Sequence, residues 1–184
     1  MTVYVHFATG FEELEALSPV DVLRRGGVDV KTVSIMDEHT VVGSHGIPVV
    51  CDLMFEEANY DECDMIVLPG GMPGAANLEA HEGLCEKILQ FHKEGKWNAA
   101  ICAAPMVFGS LGLLKGVEAT IYPGMEDKLI GAKVSENAFL TVDSHRKLIT
   151  AKGPGYALNF ALELLALMKD KETADSVKKG MLIH

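Results

Sequence analysis

The chain alternates short β-branched and apolar runs with longer segments whose apolar positions recur at helical spacing, and that alternation leaves few architectures open. Residues 3–8 read as a first strand, closed by Thr9-Gly10 and followed by a helix over 12–25. Pro19 lies inside that helix and is expected to kink or restart it, having no N–H for the carbonyl four residues back. Gly26-Gly27 end the helix, and residues 28–35 form the next strand. Residues 41–51, interrupted by Gly43, Gly46 and Pro48, read as an irregular β-excursion at a sheet edge. Residues 64–68 are a buried strand running into Pro69-Gly70-Gly71; 84–92 are a helix, 97–101 a strand and 106–114 a helix. A less regular stretch, 117–147, precedes a last strand at 148–151 and closing helices over 154–168 and 174–181. Strands separated by helices imply an α/β fold, an open and mainly parallel sheet with helices on both faces. With no repeat, linker or low-complexity stretch, residues 1–184 are expected to form one domain. Ligands bind such sheets at the carboxyl ends of strands. Thr9-Gly10, Gly70-Gly71 and Cys102 each follow a strand directly, so all three should meet on one rim.

Composition excludes several classes. A chain that is 48% hydrophobic and 23% charged is not disordered. Its net charge is −10, and no more than two basic residues are adjacent, so nucleic acid is not an expected partner. No apolar run approaches membrane-spanning length, so no membrane association is expected. Cys51, Cys63, Cys85 and Cys102 show neither C-x-x-C nor paired Cys/His spacing, which argues against a zinc site or a disulfide framework; no metal and no cofactor are expected. Free thiols, and a chain that enters its first strand without a basic or long apolar leader, point to the cytoplasm.

Cys102 ends the apolar run Trp97-Asn98-Ala99-Ala100-Ile101 and precedes Ala103-Ala104-Pro105, an order that reads as strand, abrupt turn, helix. Small neighbours let a backbone pass a cramped corner, and Pro105 suits a first helical turn. A thiol there faces the positive end of a helix dipole, which favours thiolate. The alternative is a small core residue, since free Cys is often buried. The Gly70-Gly71 turn reads equally as a tight turn or, with Gly71 N–H and Ala103 N–H as donors, as an oxyanion hole beside Cys102. It is not a phosphate loop, because no lysine follows at the required spacing. Of Glu12, Glu13 and Glu15, two read as first-turn acids on a solvated face, whereas Glu15 is free to aim at the rim as a proton carrier. The seven histidines, His184 included, are scattered and read as surface or core residues.

Four motifs occur together and in order: Glu12-Glu13-Leu14-Glu15 before Pro19-Val20-Asp21-Val22, Val67-Leu68-Pro69-Gly70-Gly71, Ala99-Ala100-Ile101-Cys102-Ala103-Ala104-Pro105, and Lys152-Gly153-Pro154-Gly155. They resemble the DJ-one/ThiJ/PfpI superfamily, in the branch of the parkinsonism-associated deglycase and bacterial YajL, over essentially the whole chain. The resemblance implies a flavodoxin-like (class I glutamine amidotransferase-like) sandwich that forms a homodimer. It makes Cys102 the oxidation-prone nucleophile and Glu15 the acid at its sulfur, with Gly71 and Ala103 as backbone donors. Gly70, Tyr122 and Pro154 are expected to line the pocket. The peptidase relatives place a histidine directly after the cysteine, where this chain has Ala103, so a protease is not expected. Tyr122, before Pro123, stands where some members have a histidine, which leaves Glu15 as the main proton carrier. The implied activity is cofactor-independent conversion of small reactive carbonyls, of glyoxalase III or deglycase type. The alternative is a redox sensor or stress-protective chaperone whose cysteine oxidises to sulfinic acid.

Overall fold

The computed structural model of the chain describes residues 1–183; His184 lies outside the described residues. The elements run β1 (Thr2–Phe7), α1 (Glu13–Arg25), β2 (Asp29–Ser34), β3 (Thr40–Val42), β4 (Pro48–Val50), β5 (Leu53–Met54) and β6 (Met65–Leu68). They continue α2 (Gly74–Ala80), α3 (Glu82–Glu94), β7 (Trp97–Ile101), α4 (Pro105–Ser110), β8 (Glu118–Ala119) and β9 (Lys133–Val134). Last come β10 (Leu140–Asp143), β11 (Leu148–Ala151), α5 (Ala157–Met168) and α6 (Lys171–Gly180). Seven strands form the main sheet in the order β10-β11-β7-β6-β1-β2-β5. Every pairing in it is parallel except that of the edge strand β10 with β11. The architecture is the flavodoxin-like α/β sandwich.

Strand alternation divides the core. Val3, Val5 and Phe7 of β1 pack with Leu23 of α1 and with Phe160, Leu164 and Leu165 of α5. Tyr4 faces the other layer, with Leu78 of α2, Ile88 and Phe91 of α3 and Phe108 of α4. From β1 the chain first steps outward through β2 and later returns to the other side of β1 as β6, so the strand order reverses between β1 and β6. A reversal of this kind opens a crevice at the carboxyl ends of the strands, where ligands bind.

Several local expectations are corrected. Pro19 does not break α1, which runs on to Arg25; its missing N–H leaves only the Glu15 carbonyl without a helical donor. The excursion over 41–51 is an antiparallel hairpin of β3 and β4, a small sheet of its own rather than part of the main edge. The helix read over 106–114 is α4 alone, six residues long. A helix that the sequence reading passed over, α2, begins directly after the glycine turn. The segment over 117–147 holds β8, β9 and β10.

Candidate active site

Cys102 follows β7 with φ of +64°, the left-handed region that a residue with a Cβ enters only when its surroundings hold it there. Two backbone hydrogen bonds do so. Its N–H donates to the Ala151 carbonyl at the end of β11, and its own carbonyl accepts the Tyr122 N–H, each at 2.9 Å. The thiol thereby stands at the top of the sheet, 8% exposed, as a strand-to-helix nucleophile elbow does.

The first turn of α1 is inverted, with acids inside and leucines outside. Glu13 and Glu15 are buried, whereas Leu14 is 60% exposed. Glu15 Oε2 accepts the Gly70 N–H at 2.9 Å. Its Oε1 has no hydrogen-bond partner among the described residues, and the neighbouring Cys102 thiol favours the charged carboxylate against burial. Burial pushes the Glu15 carboxyl up to about 7, a proton affinity suited to exchange near neutrality.

Burial and the adjacent Glu15 carboxylate also push the Cys102 thiol up, to about 12, against the pull of the Gly71 and Ala103 N–H groups on its sulfur. The expected thiolate, stabilised by a helix dipole, is thus corrected. The helix that follows is one of six residues beginning only at Pro105, too short and too far on to offset burial beside a carboxylate. The Cys102 thiol is therefore protonated near neutrality, beside a carboxyl that exchanges its proton there.

Gly70 must be glycine. A Cβ there would stand 2.6 Å from the Cys102 Cβ and 2.7 Å from Glu15 Oε2. Gly71 has φ of +87°, and a Cβ on it would meet the Gly10 carbonyl and the Glu12 N–H, each at 2.5 Å. The two rim loops are therefore in backbone contact, joined further by the Glu12 N–H on the Gly70 carbonyl at 2.9 Å.

Over the thiol opens a cavity of about 350 Å³ lined by Gly71, Met72, Cys102, Ala103, Tyr122, Pro123 and Met125. Of the expected site residues, the structure brings Cys102, Glu15, Gly71, Ala103 and Tyr122 together. Gly70 sits behind the thiol, on Glu15, instead of on the cavity wall. Pro154 is likewise not part of the lining; it opens the short turn Pro154–Tyr156, and the neighbouring Gly153 packs under the Tyr122 ring. Met72, Pro123 and Met125 carry no chemical signature by which sequence alone could have singled them out.

A second buried acid was also missed. Glu13, expected on a solvated face, accepts the His45 N–H at 2.8 Å and stands 2.7 Å from His45 Nδ1. Burial opposes its charge, but these bonds prevail and hold the carboxyl at about 2, while the same contact raises His45. Among the described residues, Glu12, Glu13 and His45 form a group with metal-ligand spacing, but the Glu13–His45 pair already occupies the donor atoms of two of them.

A cysteine held in left-handed backbone at a strand-to-helix turn, with a buried acid beside it at the switch point, defines an α/β protein with a cysteine-centred site. The sequence matches the DJ-1/PfpI family over residues 1–167, and the chain belongs to that family. It is 37% identical to protein DJ-1 homolog A of Arabidopsis thaliana over all of its own length, and spans 47% of that longer relative, about half. It is 34% identical to a deglycase of Pyrococcus abyssi over 92% of its own length and all of the relative's. The solved structure of oxidized Toxoplasma gondii DJ-1 superposes with a TM-score of 0.91 at 36% identity, over 98% of this chain and 97% of the other. Among the described residues, no helix is long and apolar enough to cross a membrane.

Proposed function

We propose that the chain is a cofactor-independent enzyme that converts small α-oxoaldehydes such as methylglyoxal into 2-hydroxy acids, the glyoxalase III or deglycase type of reaction. The observation that carries this reading is the free Oε1 of a buried carboxyl, poised near neutrality and coupled to the Cys102 thiol. Glu15 takes the thiol proton as Sγ bonds to the aldehyde carbon, and the carbonyl electron pair moves onto oxygen. The Gly71 and Ala103 N–H groups, whose proximity already favours negative charge on the sulfur, hold that oxygen while it takes the proton back to give a hemithioacetal. Glu15 then removes the proton on the former aldehyde carbon, forming an enediol, and returns it to the neighbouring carbon. The resulting thioester is hydrolysed by water, releasing the hydroxy acid and the thiol. One carbon is oxidised and its neighbour reduced, so no external electron carrier is needed. Because the carboxylate is the working form, kcat/KM should rise with pH through about 7 and then level.

A redox-sensing role is the second reading, supported by the oxidized state named for the Toxoplasma relative. The raised thiol bears on both readings alike, since the thiolate is the form that oxidises and the form that attacks a carbonyl. The enzyme reading is the one that gives Glu15 the work of removing its proton. Lactate formation from methylglyoxal by the reduced protein, lost in both Cys102→Ser and Glu15→Gln, would support the enzyme. No lactate from the parent, with Cys102 rapidly oxidised by dilute peroxide, would overturn it.

Two features fit a homodimer formed over the outer face of α1 and the β3–β4 hairpin. Leu14 and Leu17 on the helix and Ile47 and Val50 on the hairpin are all exposed. The four cysteines are free, as suits a reducing cytoplasm.

A further inference from the structure

We infer that the cavity over Cys102 selects uncharged α-oxoaldehydes bearing an aryl or branched alkyl group, because Met72, Tyr122, Pro123 and Met125 line it and, among the described residues, no lysine, arginine or histidine does. The inference rests on the carbonyl-enzyme reading and narrows it to a substrate class. An aldehyde bonded to Sγ, with its oxygen on the Gly71 and Ala103 N–H groups, has its reacting carbon fixed at the cavity floor. Its remaining substituent must extend outward along the thioethers, the Tyr122 ring and the Pro123 ring. Methylglyoxal offers that wall one methyl group, whereas phenylglyoxal offers a ring, and apolar area removed from water is what such a wall rewards. Methionine suits an aromatic guest in particular, since its flexible thioether adapts its shape and makes favourable sulfur–ring contacts. Met72 and Tyr122 are about half exposed, so the wall is open on one side and the preference is moderate.

Charge sets the other limit. A carboxylate-bearing aldehyde such as glyoxylate would find no cation in the lining and would face the negative charge of the Cys102–Glu15 unit once that unit ionises. A cationic substrate would lose its hydration to thioethers and a proline.

The test compares phenylglyoxal, methylglyoxal and glyoxylate with the purified protein, alongside Met125→Ser and Met72→Ser. Expected is a phenylglyoxal-to-methylglyoxal ratio of kcat/KM on the order of 10, falling towards one in either serine variant. The intrinsic reactivities of the aldehydes cancel when ratios are compared between proteins. Glyoxylate should be poorer than methylglyoxal by on the order of 100-fold. Turnover-independent affinity is read from protection of Cys102 against iodoacetamide by each aldehyde, expected in the order phenylglyoxal, methylglyoxal, glyoxylate. A ratio that the serine variants leave unchanged, or glyoxylate accepted as readily as methylglyoxal, overturns the inference while leaving the enzyme standing. Protection in the expected order without any turnover upholds the selectivity and overturns the enzymatic reading instead.

Discussion

Replacing Glu15 by Gln should make the protein more stable as the pH rises, although it removes a buried hydrogen-bonding acid. Glu15 is fully buried, and its carboxyl is raised from 4.5 to about 7 in the folded chain. The folded state therefore holds this proton more tightly than the unfolded chain does. Its contribution to stability is fully present below 4.5 and is lost as the pH climbs through about 7. At about 1.36 kcal/mol per tenfold of proton affinity, the interval from 4.5 to about 7 amounts to about 3 kcal/mol. Gln keeps an oxygen for the Gly70 N–H and has no proton to lose. Urea unfolding of parent and variant at pH 5 and pH 8 isolates the effect, because all other titrating groups largely cancel in the difference. The advantage of the variant should grow by about 2.5 kcal/mol between those two pH values. A difference that moves by less than about 0.5 kcal/mol, or in the opposite direction, would refute a raised Glu15 and the general-base role drawn from it. The same substitution removes the charge that pushes the thiol up, so Cys102 in the variant should react with iodoacetamide at lower pH while turning over no carbonyl.

Three further outcomes are expected. Gly70→Ala would drive a methyl group between the Cys102 Cβ and Glu15 Oε2, so turnover of methylglyoxal should fall by at least about 10-fold, with unfolding stability reduced by about 1–3 kcal/mol; full activity would show that the two groups need not keep their spacing. Glu13→Gln should cost about 1–2 kcal/mol at pH 7 through loss of the charged pair with His45, and the cost should fade as the pH falls through about 2, where the parent carboxyl is also protonated; urea unfolding that shows the same cost at both ends would contradict the pairing. Tyr60→Phe removes the hydroxyl 2.8 Å from Nε2 of the wholly buried His6, whose Nδ1 already has no partner, and should cost about 1–3 kcal/mol in the thermal or urea midpoint, a loss that would be absent if water reached the ring.

The sequence was most readable where burial and backbone chemistry coincide. β1, β6, β7 and β11 are short runs buried almost throughout, and the first three lead into Thr9-Gly10, Gly70-Gly71 and Cys102, so the strands themselves and the rim those three share could be read before any coordinates. β8 and β9 could not, because two-residue strands that are half or fully exposed leave no periodicity to detect. α2 was hidden by the glycines before it, which read as the end of a strand and not as the entry to a helix. Glu15 stood out because its spacing differs from that of the flanking acids. Glu13 did not, since its partner lies 32 residues further on and only the hairpin brings it near. The direction of the thiol shift was misread because a dipole is a local feature visible in sequence, whereas burial and a carboxylate arriving from another element are not.

The left-handed backbone at Cys102 has a consequence for how this protein could be lost as well as used. A side chain in that region costs on the order of 1–2 kcal/mol, and glycine adopts it freely. A chain drifting without demand for its chemistry could thus gain thermal endurance in one step, by exchanging Cys102 for glycine and keeping every strand and helix in place. Backbone preference alone favours glycine at this corner, so any requirement for cysteine there comes from its thiol and not from the scaffold.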